Sequence, residues 1–173
     1  IEADKLKSVI RGTTLNDNSR HENSGEHSWH IALYALVMAE HATRPVNVDR
    51  VIKMLLLHDL VEIDAGDVPI HSDAARDPAA QDAAEQAAAD RIFGLLPNDQ
   101  STALRRLWDE FEAAETDDAI FAKSIDRVQP VAPHPDADGA SCTTYHVTRQ
   151  QPQTRVVNKV ILRDPHTANA PHP

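Results

Sequence analysis

The sequence predicts an all-α fold, on three observations. The chain is rich in Ala and Leu and holds five Gly in 173 residues, a composition that favours helices over strands. Apolar residues recur at spacings of three and four in several separate stretches. Each of those stretches is bounded by a capping side chain or a proline. Apolar residues make up 41% of the chain and aromatics only 4%, so Leu, Ile, Val and Ala must fill the core. The length suits one domain and leaves little room for a second.

The elements follow in order. Residues 2–10 read as a short helix with Leu6, Val9 and Ile10 on its apolar side. Residues 11–25 are polar, contain Gly12, Asn16, Asn18 and Gly25, and read as a loop. A long helix is expected from about Glu26 to Thr43, with Ile31, Tyr34, Ala35 and Met38 on one side and Pro45 after its end. Asn47 can cap the next helix, from about Val48 to Ile63. That helix is apolar around most of its circumference (Val51, Ile52, Met54, Leu55, Leu56, Leu57, Leu60, Val61), which predicts a central, buried position. Residues 64–78 form a loop with Gly66, Pro69 and Pro78. An Ala-rich helix covers 79–95, and Pro97 breaks it. Another runs to about Ala114, with Leu104, Leu107, Trp108 and Phe111 on one face. Thr116, followed by Asp117 and Asp118, is a helix-start signal, and the last helix ends before Pro130. Seven of the eleven prolines fall in residues 130–173, which sets the boundary. Residues 1–130 are the domain, and 131–173 an irregular C-terminal extension packing on it or trailing from it.

Charge narrows the function. The formal net charge is -10, so no nucleic-acid partner is expected, because the chain would repel phosphate backbones. A small anion remains admissible, since a bound cation can reverse the local field. No apolar run reaches membrane-spanning length, so no membrane partner is expected. No signal peptide is visible, and the lone Cys142 rules out an intrachain disulfide; both fit a cytoplasmic protein.

The adjacent pair His58-Asp59 inside a strongly apolar helix needs explaining. A buried carboxylate is costly unless it is paired or metal-bound. For the pair alone, a satisfied core histidine beside a solvent-facing carboxylate explains the observation equally well. Glu62 changes the balance, because it follows His58 by four residues and Asp59 by three and so shares their side of the helix. His27 stands at the start of the preceding long helix. Asp126 lies in the last one, where its ordinary reading is a salt bridge to Lys123 or Arg127.

These residues carry a resemblance. His27, then His58-Asp59, then Asp126 looks like the H…HD…D pattern of the HD-domain superfamily. Arg20-His21-Glu22-Asn23-Ser24-Gly25-Glu26-His27-Ser28 resembles the R-x-E-N-x-x-E-H-S segment of the bacterial 5'-deoxynucleotidases in that superfamily. His58 to Pro69 resembles their H-D-x-x-E-x-x-x-G-D-x-P segment, and Trp108–Glu112 and Ala122–Arg127 also fit.

The resemblance covers about residues 3–130 and implies a bundle of about six helices around one divalent metal (Mn, Co, Fe, Zn or Mg). His27, His58, Asp59 and Asp126 would be the ligands. Glu62 would accept a proton from the attacking water, or else orient His58. Asp67 would orient water or the leaving group, or else cap the turn after Gly66. Arg11 and Arg20 are the candidates to bind phosphate, since a planar guanidinium can grip two phosphate oxygens. In the family a Trp follows the phosphate-binding Arg; here Gly12 follows Arg11, and that Trp is missing. Only His71 lies between residues 60 and 125, which implies a single metal rather than two.

The implied activity is hydrolysis of a nucleoside 5'-monophosphate. The alternatives are another small phosphate ester or nucleotide polyphosphate, or a non-catalytic nucleotide-sensing module. A small-molecule nucleotide is the expected partner, and a homodimer is compatible with the chain. Trp29 and Trp108 are expected in the core, and His30 and His41 in ordinary packing.

Overall fold

A computed structural model describes residues 1–67 and 77–129. Among these residues there are six α-helices and one small two-stranded sheet. The loop over 64–78 thus lies largely outside the described residues. So do the C-terminal extension at 131–173, His71 and Cys142.

The chain opens with a 3-10 helix, Glu2–Ser8, which buries Leu6. Ile10 does not continue it. Ile10–Thr14 forms strand β1, paired antiparallel with β2, His21–Asn23. The expected loop over 11–25 is therefore a hairpin. Its strands are five and three residues long with an irregular register, and their burial does not alternate, so no period of two marks them in the sequence.

Helix α1 spans Ser24–Met38. Asn23 caps it by accepting from the Glu26 N–H at 2.9 Å, while the Glu26 carboxylate accepts from the Asn23 N–H at 3.2 Å. This reciprocal cap starts the helix two residues earlier than expected. A short 3-10 turn, Ala39–His41, closes it.

Helix α2, Val48–Leu57, starts at the expected Asn47 cap and packs on α1, α5 and α6. Val51, Met54 and Leu55 are fully buried, whereas Leu56 is 46% exposed, so the helix is central but not apolar-contacted all round. The expected single helix to Ile63 breaks up here. His58–Val61 is a 3-10 turn, and α3 covers only Glu62–Ala65.

Helix α4, Pro78–Phe93, begins on Asp77, whose side chain accepts from the Ala80 N–H, with Pro78 at the position where its missing N–H costs nothing. Helix α5 is Asn98–Ala113, and α6 is Asp117–Val128, capped by Thr116 as expected. Among the described residues no helix is long and apolar enough to cross a membrane.

Two apolar clusters frame the polar site. One joins Ile31, Val51, Met54, Leu55, Phe121 and Ile125 from α1, α2 and α6. The other joins Val61, Ala89, Phe93 and Trp108 from the 3-10 turn, α4 and α5. The His58-Asp59 turn bridges them, so its backbone is held from both sides.

Candidate metal centre

The 3-10 turn places His58, Asp59 and Glu62. In such a turn side chains three apart lie over one another, so Asp59 and Glu62 face the same way. In an α-helix the His58 carbonyl would accept from the Glu62 N–H; here that N–H goes to the Asp59 carbonyl. The freed His58 carbonyl accepts from the Trp108 indole N–H at 3.1 Å. This bond explains both why Trp108 is buried and why the helix tightens at this position.

His58 is 6% exposed. Its Nδ1 lies 2.9 Å from the Leu55 carbonyl, which can only accept, so Nδ1 donates there and Nε2 is the nitrogen turned to the carboxylates. Nε2 is buried without a hydrogen-bond partner. It lies 2.8 Å from Asp59 Oδ1 and 3.6 Å from Asp126 Oδ1. His27, on the first turn of α1, is fully buried, and its Nε2 lies 3.0 Å from the same Asp126 oxygen. The two imidazole centroids are 5.6 Å apart. Ligand atoms of His27, His58 and Asp126 all lie within 4.8 Å of one another. Asp126 thus turns inward, and the ordinary reading of it fails: Lys123 pairs instead with Glu112 at 2.8 Å.

Arg11 reaches this group from β1. Its Nη1 lies 2.7 Å from Asp59 Oδ2 and 3.6 Å from Glu62 Oε1, and its Nε is buried without a partner. The Ser24 hydroxyl donates to Glu62 Oε2 at 2.6 Å. The Gly12 N–H donates to Asp67 Oδ2 at 3.3 Å. Arg20 stands apart from these contacts. Its guanidinium forks onto both carboxylate oxygens of Glu26 at 2.6 and 2.8 Å, and its side chain is 53% exposed.

Burial and neighbouring charges shift the ionisable groups of the cluster. Burial alone would keep His58 neutral, but the Asp59 and Asp126 carboxylates overcome it and push its pKa up to about 10. Burial also works against an ionised Asp126, yet its bonds to His27 and His58 hold it well below the usual carboxylate range. Burial, reinforced by Asp59, pushes Glu62 up to about 8 although Arg11 pulls the other way. Asp67 is raised by burial too. Four carboxylates, Asp59, Glu62, Asp67 and Asp126, act on the single guanidinium of Arg11. Protons alone balance the excess only by distorting every group. Two imidazole nitrogens beside carboxylate oxygens form a donor set suited to a divalent cation.

Two further polar residues carry no signal in the sequence that sets them apart. Gln129 is 3% exposed and its Oε1 lies 3.0 Å from His27 Nδ1. Glu22, also 3% exposed, accepts from the Gln129 amide at 3.1 Å. Glu22 lies inside the motif around His27 but had no role there, and Gln129 looks like a plain helix end. Trp29 corrects the expectation of a core residue: it is 63% exposed and stacks on His30.

An all-α fold with a buried His and carboxylate donor set drawn from three elements defines the class. Within it the chain belongs to the HD domain family, which matches residues 3–164. It is similar to 5'-deoxynucleotidase HDDC2 of Xenopus laevis, 29% identical over 128 residues, covering 73% of this chain and 61% of that protein. The Homo sapiens protein of the same name is 28% identical over 128 residues, with 73% and 60% covered. The chain thus matches about three fifths of the length of these relatives. Among solved structures, a predicted metal-dependent phosphohydrolase from Magnetospirillum magnetotacticum MS-1 superposes with a TM-score of 0.84 at 44% identity, covering 94% of this chain and 82% of that one. A conserved hypothetical protein from Pyrococcus furiosus shares the fold, with a TM-score of 0.61 at 18% identity over 92% of this chain and 95% of that one.

Proposed function

We propose that the chain is a metal-dependent phosphohydrolase that cleaves the phosphate monoester of a nucleoside 5'-monophosphate. One observation carries this reading: the buried Nε2 of His58, without a hydrogen-bond partner, sits beside Asp59 and Asp126, and the Nε2 of His27 meets the same Asp126 oxygen. An unpartnered imidazole nitrogen in that company is costly unless a cation takes its lone pair. The residues therefore fit a divalent metal held by His27, His58, Asp59 and Asp126. When bound, such an ion lowers the pKa of a water and polarises a phosphoryl oxygen.

The chain's own residues supply the rest. Glu62, on the turn that follows His58 and Asp59, would accept the proton of the attacking water in its ionised form. The Ser24 hydroxyl holds its other oxygen and fixes its aim. Arg11 has a buried N–H free to meet a phosphate oxygen. Asp67, tied to the Gly12 N–H beside Arg11, orients the leaving oxygen or a water. Arg20 is already forked onto Glu26, so the phosphate falls to Arg11.

The names of the relatives support a nucleotide substrate: 5'-deoxynucleotidase for the Xenopus and human proteins, and phosphohydrolase for the Magnetospirillum structure. A second reading, another small phosphate ester or a nucleotide polyphosphate, draws on Gly12, because the position after Arg11 has no side chain to offer a sugar. The test is metal analysis of the purified protein, then phosphate release from a panel of nucleotides with that metal added. Release from 5'-monophosphates is expected. Release from other esters or polyphosphates alone would favour the second reading, and bound metal without turnover a sensing module. Absence of any tightly held metal would overturn the proposal.

A further inference from the structure

Gln129 sits at the end of α6, three residues past Asp126, and meets three residues from two other elements. Its Oε1 is 3.0 Å from His27 Nδ1, and its Nε2 is 3.1 Å from Glu22 Oε1 and 3.2 Å from His30 Nδ1. The amide nitrogen is a donor only, and it lies between a carboxylate and an imidazole nitrogen that both can accept. Turned over, the amide would set its oxygen against the Glu22 carboxylate. Its orientation is therefore fixed by its neighbours, and the oxygen that faces His27 can only accept. His27 Nδ1 must donate, which turns Nε2 toward Asp126. Glu22 Oε2, 3.4 Å from the same Nδ1, reinforces this.

The two histidines reach the same state by different means. His58 donates to the Leu55 backbone carbonyl, which no substitution removes. His27 depends on a side chain that a single substitution removes.

We propose that Gln129, aligned by Glu22 and His30, is a positioning residue for the metal centre: it holds His27 in the tautomer and ring orientation that present Nε2 to the cation. This rests on the metal-centre reading above. It assigns Gln129 and Glu22 to metal affinity rather than to substrate. Removal of such an outer partner lowers metal affinity by about 10- to 100-fold.

The experiment measures Co²⁺ affinity by chelator competition in the wild type, Gln129→Leu, Glu22→Gln and the exchanged pair E22Q/Q129E. Tracking of the His27 Nδ1–H by NMR in the Zn²⁺-loaded protein accompanies it. Gln129→Leu is expected to lose affinity by about that factor and to lose the hydrogen-bonded Nδ1–H signal of His27, while kcat and KM recover at saturating metal. The exchanged pair keeps an acceptor at His27 and an amide–carboxylate contact between positions 22 and 129, so it is expected to restore most of the affinity. Should Gln129→Leu fail to fold, the comparison of Q129E alone with the exchanged pair decides the same question, and rescue is the expected result. A Gln129→Leu protein with a lower melting temperature but unchanged Co²⁺ affinity would overturn the proposal, as would an exchanged pair no better than Q129E. A wild type that binds no Co²⁺ would overturn the metal-centre reading and this inference with it.

Discussion

Arg11 and Arg91 are both arginines among carboxylates, and their surroundings give them opposite meanings. Arg91 forks onto Asp64 and also reaches Glu2 at 2.8 Å on the surface, with 41% of its side chain exposed. Water screens that group and can solvate whatever the pairing leaves over. Arg11 lies in a site where Asp59 and His58 are almost wholly buried and four carboxylates act on its one charge. Burial keeps bulk solvent from absorbing the excess, so it shows as shifted pKa values and an orphaned nitrogen. The same residue types make a solvated tie in one place and the proposed cation site in the other, and burial decides which.

Breaking that contrast gives a graded series. Asp126→Ala removes the oxygen shared by both imidazoles and is expected to abolish tight metal binding, read by metal analysis after dialysis, and with it all phosphate release. Glu62→Gln keeps the shape of the side chain and removes the proton acceptor. Metal content should stay at the wild-type level while kcat falls by about 10²- to 10⁴-fold; wild-type turnover would refute the role given to Glu62. Arg11→Ala should retain metal and lower kcat/KM by about 10²-fold, since it takes a preorganised donor from the phosphate. Trp108→Phe leaves the buried His58 carbonyl without its donor and should cost about 1–3 kcal/mol in urea unfolding. Arg91→Ala, on the screened side of the comparison, should leave both thermal melting and activity where they are. A marked loss there would show that surface pairing matters more than burial allows.

Much of this is legible in the amino-acid sequence. Asn47 and Thr116 cap the helices they are expected to cap, because the rule is local: a short side chain meets an N–H three residues on. His27, His58-Asp59 and Asp126 are legible as a pattern. Their convergence is not written in any spacing, since it depends on α1 and α6 packing against α2. The hairpin escapes because its short, half-covered strands have no alternation to detect. Arg20 looks equivalent to Arg11 in sequence, and only the fold shows one neutralised by Glu26 and the other turned inward. Trp29 looks like core because it lies beside core residues of α1, yet the chemistry of a side chain does not say which way its helix faces.

The 3-10 turn at His58–Val61 also makes this stretch intolerant of any change in length. With three residues per revolution, inserting or deleting one residue between Leu55 and Glu62 would swing everything beyond it by about a third of a revolution. Glu62 would swing away from Arg11 and Ser24, and the Trp108 indole would lose the His58 carbonyl as its acceptor. Substitutions here can be graded one by one, but an insertion or deletion takes the whole arrangement apart at once. The count of residues from Leu55 to Glu62 is therefore the feature to look for in any chain meant to do the same job.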